Sequence, residues 1–159
     1  MSSAGETPEV ELMTRALGRA VVSGDDASTI GSVRAMVVDK AGRRIEALHV
    51  NGRARRAQLL DWDDIAAFGP DAVITRRSAA LHDVVDDLQE DMVRGRITVL
   101  GGRVLGADGF ERGRVDDVAF DPRTGQLAEL TVGRERIPAR AVRGLGHYCW
   151  VVDEAVSPG

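Results

Sequence analysis

Two segments of the chain share one residue pattern, so the sequence contains an internal repeat. Residues 31–50 (GSVRAMVVDKAGRRIEALHV) align with residues 113–132 (GRVDDVAFDPRTGQLAELTV) at a constant offset of 82. Further along the chain the offset becomes 77, and residues 60–73 align with residues 137–150. We therefore expect two units of the same fold. The identical pairs in the first alignment are Gly31 with Gly113, Val33 with Val115, Asp39 with Asp121, Leu48 with Leu130 and Val50 with Val132.

The spacing of apolar residues within each segment predicts bent strands. In two successive stretches of each segment, apolar residues occur at i, i+3 and i+5, so one extra residue interrupts the alternation of a regular strand. This is typical of a β-bulge, which bends a strand and curls a small sheet toward a barrel. A helix also tolerates i, i+3 steps, but the β-branched residues and the turns DKAGRR and DPRTGQ favour hairpins. The positions are Val33, Met36, Val38, Ile45, Leu48 and Val50, then Val115, Val118, Phe120, Leu127, Leu130 and Val132.

Each copy is predicted to contain a short strand, a long hairpin, another short strand, a helical turn and a closing strand. The expected organisation is a polar tail over residues 1–12, a first unit over 13–77, a linker over 78–95 and a second unit over 96–155. Each unit is expected to enclose a small core of its own. A core of that size is marginal, so the units should pack against each other, the linker or a second chain.

The linker has the pattern of an amphipathic helix that ends at Gly95. Its apolar face is expected to pack on one or both units, and binding of a partner is the alternative. The apolar positions are Leu81, Val84, Val85, Leu88 and Met92, and the opposite face carries Asp83, Asp87, Glu90 and Asp91.

The order of these elements resembles that of PRC-barrel proteins, in two tandem copies. The resemblance depends on the openings LGRAVV and GGRVLG, the long hairpins and the W-D-D-I corner, and it covers roughly residues 13–76 and 97–154. It implies a mainly β fold, with two small PRC-barrel-like β-barrels in tandem joined by the amphipathic helix. Such barrels occur in the cytoplasmic domain of the photosynthetic reaction-centre H subunit and in a ribosome-maturation factor. There they bind other proteins or lie beside RNA or a membrane complex. No catalytic residue set belongs to the family, so the resemblance implies neither an enzyme nor a cofactor.

The composition indicates a cytoplasmic protein with no DNA partner. The net charge of −4 provides no global field that would attract nucleic acid. A single cysteine, Cys149, excludes an internal disulfide and fits a reducing compartment. No apolar run has the length that a membrane helix needs, and the polar, acidic N-terminus does not resemble a signal peptide.

The stretch LLDWDDIAAFG places Asp61, Asp63 and Asp64 around Trp62. The second copy has PARAV at the same place, without an acid, so the fold does not require carboxylates there. We expect a structural turn in which Asp61 or Asp63 caps a short helical turn and Trp62 packs on its own or the other unit. A hard-cation site and an acid/base site are the alternatives, although the spacing matches neither a calcium loop nor a carboxylate pair in a cleft. No metal is expected.

The best candidate for a binding surface is a basic patch. If the hairpin and the closing strand lie side by side, their arginines form a positive surface on an acidic protein, suited to RNA phosphates, anionic lipid or an acidic protein segment. A solvated face paired with nearby acids is the alternative. The residues are Arg43, Arg44, Arg53, Arg55, Arg56, Arg76 and Arg77.

These observations favour a non-enzymatic interaction module that docks a protein partner or forms a homodimer. A ribosome- or RNA-associated factor and peripheral association with a membrane complex are the alternative functions. A hydrolase or metal-dependent enzyme would require a pocket with converging polar groups.

Overall fold

The computed structural model of the protein describes residues 9–76 and 81–153. These residues form a mainly β protein with a curled half-barrel sheet, which confirms the predicted fold class at that level. In the described ranges no helix is long and apolar enough to cross a membrane.

Strands are the commonest elements of the described chain. The first half contains β1 (Glu11–Leu12), α1 (Met13–Ala16), β2 (Ala20–Ser23), β3 (Thr29–Val38), β4 (Ile45–Asn51), β5 (Gln58–Asp61), a 3₁₀ turn (Trp62–Asp64), β6 (Ile65–Phe68) and β7 (Ala72–Thr75). The second half contains β8 (Leu81–Asp83), α2 (Asp87–Val93), β9 (Arg103–Gly106), β10 (Glu111–Arg114), β11 (Asp117–Phe120), β12 (Leu127–Val132), β13 (Glu135–Pro138), a 3₁₀ turn (Ala139–Ala141), β14 (Val142–Leu145) and β15 (Trp150–Val152).

The strands form three sheets. The largest has the order β6-β7-β2-β3-β4-β5-β8, and all its neighbours are antiparallel except β2 and β7. A second sheet has the order β10-β9-β15-β14, with β15 parallel to β9. The third has the order β1-β11-β12-β13, so β1 pairs with a strand of the second half. Residues 11 and 12 of the predicted polar tail over 1–12 therefore lie in a paired strand, and residues 1–8 of that tail lie outside the described residues.

Three of the four bulges that the apolar spacing predicts are present. The register between β3 and β4 skips Arg34 on β3 and Glu46 on β4. The register between β11 and β12 skips Ala128, which is the counterpart of Glu46. At the counterpart of Arg34 the strand breaks instead, since β10 ends at Arg114 and β11 begins at Asp117. Because each irregularity restores the inward direction of the next apolar residue, all the positions with the i, i+3, i+5 spacing are buried.

The buried side chains form one continuous cluster across both halves. An aromatic group lies within it: the Trp62 ring stacks on Phe68 at 5.6 Å between centroids, and it meets the edge of Phe120 at 6.2 Å. Phe120 belongs to the second half and the other two rings to the first, so the prediction of two separate cores is wrong. The physical reason is that neither half supplies enough apolar surface to enclose a core alone.

The two long hairpins hold the halves together through backbone hydrogen bonds. Arg44 and Gln126, which occupy equivalent positions in the alignment, face each other in an isolated antiparallel bridge. The Ile45 N–H donates to the Gly125 carbonyl at 2.8 Å, and the Leu127 N–H donates to the Arg43 carbonyl at 2.8 Å. This reciprocal contact confirms that the halves pack against each other.

The predicted linker helix over residues 78–95 is present only as α2. The Asp86 carboxylate starts this helix by accepting a hydrogen bond from the Gln89 N–H at 2.8 Å. Gly95, with a φ of 77°, follows its end. Leu81 instead belongs to β8, which extends the largest sheet by pairing with β5. Residues 78–80 of the predicted helix lie outside the described residues. Pairing with the free edge of β5 is favoured over a longer helix at this point, because the residues of β8 gain backbone hydrogen bonds to β5.

Candidate functional site

The corner at Asp61 contains a 3₁₀ turn, but no aspartate side chain caps it. Asp61 occupies the N-cap position without a side-chain hydrogen bond to the turn. Its carboxylate contacts the His82 ring instead, at 2.7 Å from Nε2, and so connects β5 to β8. The prediction of a cap is therefore wrong at Asp61. The equivalent turn of the second half, Ala139–Ala141, follows Pro138 and also lacks a side-chain cap.

The other residues of the corner have structural contacts. Trp62 is buried in the aromatic group, as expected for a side chain that packs against the other unit. The Asp63 carboxylate lies 3.4 Å from the Arg44 guanidinium, but its side chain is 90% exposed, so this pair contributes little stability. The backbone carbonyl of Asp64 accepts a hydrogen bond from the Arg76 N–H. In the described ranges there is no group of three or more His, Cys, Asp and Glu residues that could hold a metal ion.

The predicted basic patch is divided between two ends of the largest sheet. Arg43 and Arg44 precede β4, whereas Arg53, Arg55 and Arg56 follow it. A strand of seven residues separates the two sets by about 20 Å or more at the rise of an extended chain. One continuous patch is therefore ruled out, because a hairpin turn and the loop at the far end of its strand point in opposite directions. Arg77 lies outside the described residues.

The arginines at the hairpin end are engaged in holding the structure together. The Arg43 guanidinium donates to the Val142 carbonyl at 2.8 Å and to the Arg140 carbonyl at 3.3 Å, both in the second half. Arg44 donates to the Thr124 carbonyl at 3.3 Å. Arg76 donates from Nε to the Asp63 carbonyl at 2.9 Å, which places it near Arg44. These side chains donate hydrogen bonds to backbone carbonyls where the two halves meet, so they have a structural role that needs no ligand.

The arginines at the opposite end lie on a loop with far fewer contacts, residues 52–57, which we call the arginine loop. Arg53 and Arg55 are exposed and have no hydrogen bond or ion pair to any described residue. Arg56 lies 3.3 Å from Asp83, but the two side chains are 79% and 51% exposed. Such a pair competes poorly with solvent or with a ligand. Three guanidinium groups are therefore available on one short segment.

The arginine loop is also longer than the fold requires. It joins β4 to β5 over six residues, whereas Gly133 and Arg134 alone join the equivalent strands β12 and β13. The offset between the aligned segments changes from 82 to 77 across this loop. Because the second half closes the same connection with a two-residue turn, the additional residues contribute no necessary strand or core side chain. The change of offset was visible in the sequence and could have separated this loop from the hairpin arginines.

A titratable side chain with a structural role, His82, lies on β8 next to Asp83, which pairs with Arg56 of the arginine loop. Its burial disfavours the charged ring, but the hydrogen bonds to Asp61 and to the Asp83 carbonyl, with the negative charges of Asp61 and Asp64, outweigh that effect. The pKa of His82 is therefore raised above its ordinary value of 6.5. A protonated His82 strengthens the connection of β8 to β5 beside the arginine loop. Nothing in the sequence pattern indicated this pair, since the two residues meet only through strand pairing.

No protein-family model matches the chain, and no curated protein matches it.

Proposed function

We propose that the protein is a non-enzymatic interaction module of the cytoplasm, with two PRC-barrel-like units in tandem, and that its arginine loop binds an acidic segment of a partner protein. The observation that carries this proposal is the loop itself. It is an extension that the second half lacks, and its guanidinium groups are exposed with little or no internal pairing.

The tandem arrangement is supported by equivalent strand orders. Strands β6-β7-β2-β3-β4-β5 of the first half correspond in order to β14-β15-β9-β10, followed by β11-β12-β13, of the second. Equivalent backbone bonds also recur: the Gly18 N–H donates to the Val33 carbonyl at 2.7 Å, and the Gly101 N–H donates to the Val115 carbonyl at 2.8 Å. Both glycines have a positive φ, which a left-handed turn at that position requires.

Guanidinium groups suit the proposed ligand because each offers several N–H donors in a planar fork that matches a carboxylate. A loop with three of them recognises a run of Asp and Glu residues by charge and by paired hydrogen bonds. The interaction would be strong at low salt and weak at high salt, because the loop is exposed and its charges are screened.

RNA association is the alternative, since the same groups also bind phosphates. Proteins that bind single-stranded RNA combine such charges with aromatic side chains on which bases stack. The large exposed aromatic side chains of the described chain, Phe110 and Tyr148, both belong to the second half. The first half therefore offers charge without stacking, which favours an acidic protein segment.

Affinity capture from the native cell, with mass spectrometry of the recovered proteins, tests the proposal. The test variant carries Arg53→Glu, Arg55→Glu and Arg56→Glu. The matched control carries Arg15→Glu, Arg134→Glu and Arg136→Glu, which change the net charge equally at exposed arginines elsewhere. We expect a specific acidic protein with the unmodified chain and with the control, and its loss with the test variant.

Two further measurements separate the alternatives. Recovery that disappears after ribonuclease treatment would assign the loop to RNA. Equal recovery with both triple variants would show that the contact lies elsewhere and would refute the proposal. Sedimentation analysis of the purified chain measures self-association. A dimer that persists in the test variant would show that the arginine loop is not the dimer contact and is available to a different partner.

A further inference from the structure

An apolar cavity of about 230 Å³ lies between α1, the bulge of β3, α2 and residues 95–100. Three of the four methionines of the chain line it: Met13, Met36 and Met92. Thioether side chains are flexible and polarisable, so they adapt to apolar ligands of different shapes. A dry cavity of roughly 150 Å³ is already large enough to bind benzene. This cavity therefore has room for a small hydrocarbon group.

One charged residue, Arg34, lies on the lining. It is the extra residue of the β3 bulge, and bulges change the direction of side chains. Arg34, Ala35 and Met36 all contribute to the lining, whereas three consecutive residues of a regular strand would alternate between its faces. Arg34 is exposed and makes no hydrogen bond or ion pair to a described residue. The cavity thus combines an apolar interior with one available cation.

We propose that this cavity binds a small amphiphilic carboxylic acid, with its hydrocarbon body among the methionines and its carboxylate paired with Arg34. Ligand sites of proteins have this composition, with mostly apolar walls and few polar groups that fix the orientation. Apart from Arg34, the only polar side chain of the lining is Thr98. Its hydroxyl already donates to the Gly95 carbonyl at 3.3 Å.

The same composition argues against a peptide as the occupant. A peptide chain inside the cavity would bury N–H and C=O groups that the lining does not pair, and unpaired buried polar groups are costly. A hydrocarbon chain carries no such groups. Its single carboxylate lies at the end and can remain at Arg34, so a free acid fits where a peptide segment does not.

Titration of the protein with octanoate, followed by calorimetry and by NMR of the methionine methyl groups, tests the proposal. Octanol is the matched uncharged probe, and Arg136→Gln, at an exposed arginine outside both the cavity and the arginine loop, is the matched control for Arg34→Gln. We expect saturable octanoate binding at one site, with shifts of the Met13, Met36 and Met92 signals. Arg34→Gln should weaken octanoate binding about tenfold or more, the usual effect of losing a charge-assisted hydrogen bond. Octanol binding should hardly change.

Ala35→Leu places additional carbon atoms in the cavity and should abolish binding of both probes, provided that thermal unfolding shows an intact fold. If that variant does not fold, the methyl shifts and the Arg34→Gln comparison still decide the question. No saturable binding, equal weakening by Arg34→Gln and Arg136→Gln, or unchanged binding in a folded Ala35→Leu variant would each overturn the proposal. Tighter binding of a trileucine peptide than of octanoate would also overturn it, in favour of a protein C-terminus.

Discussion

Replacement of Trp62 by alanine should destabilise the protein strongly, because this side chain joins the two halves of the core. Trp62 is 6% exposed. A buried aromatic side chain removes 150–250 Å² from water, which corresponds to about 4–6 kcal/mol at 25 cal/mol per Å². Measured Trp→Ala and Phe→Ala substitutions in cores cost about 3–5 kcal/mol. We therefore expect Trp62→Ala to lower the free energy of unfolding by about 4 kcal/mol.

The neighbouring aspartate provides the matched control. The Asp63 side chain is 90% exposed and pairs only with a half-exposed Arg44, so Asp63→Asn should cost at most about 1 kcal/mol. Urea unfolding followed by circular dichroism and tryptophan fluorescence measures both variants. The two signals should coincide in the unmodified protein, because a single continuous core unfolds in one transition.

This pair of variants decides what the acidic corner contributes. A loss below about 1 kcal/mol for Trp62→Ala would refute the assignment of Trp62 to a shared core. An Asp63→Asn loss as large as that of Trp62→Ala would give the carboxylate a role that the structure does not show. Two separate unfolding transitions would mean that the halves are independent.

Three further predictions concern the His82–Asp61 pair, the arginine loop and the hairpin contact. His82→Asn should lower the free energy of unfolding more at pH 5.5 than at pH 8.5. Because the pKa of His82 is raised in the folded state, the stabilisation is complete below the unfolded pKa of 6.5 and is lost as the pH rises through the folded pKa. Urea unfolding at both pH values measures the two losses, and equal losses would contradict the prediction. Replacing the arginine loop by the Gly-Arg turn of the second half should change the free energy of unfolding by no more than about 0.5 kcal/mol, as surface changes away from the core do. Urea unfolding measures this change, and a collapse of the fold would show that the loop is structural. Gly125→Ala should lower the free energy of unfolding more than Gly133→Ala. Both glycines have a positive φ, but only at Gly125 would a Cβ lie 3.0 Å from Trp62. Gly133→Ala therefore reports the backbone strain alone, about 1–2 kcal/mol.

The strands and their bulges could be predicted because their signal is local. The i, i+3, i+5 spacing records directly which side chains point inward, and one interrupted alternation corresponds to one extra residue in a strand. The match between Glu46 and Ala128 is an example, since both are skipped at the same place in their hairpins. The β-branched residues and the turn within each segment favour paired strands over a helix at this spacing.

Contacts between distant segments could not be predicted in the same way. The spacing of Leu81, Val84 and Leu88 is helical, but Leu81 joins β8 because the edge of β5 is free to pair with it. Likewise, Glu11 pairs with Phe120 across most of the chain. The separation of the arginines, by contrast, could have been predicted, because they lie on both sides of a stretch, residues 45–50, whose apolar spacing already indicates a strand. The cavity beside Arg34 has no local signal in the sequence because its lining comes from three separate segments, residues 13–17, 34–36 and 92–100.

The reciprocal hairpin contact has the geometry of a symmetric dimer within a single polypeptide. In an isologous interface, residue i of one copy meets residue j of the other, and the relation holds in reverse; Ile45 with Gly125 and Leu127 with Arg43 follow this rule. A true homodimer would display every outward loop twice. In one covalent chain the halves are free to differ, so a single arginine loop faces outward and a partner that recognises it would bind with a stoichiometry of one per chain.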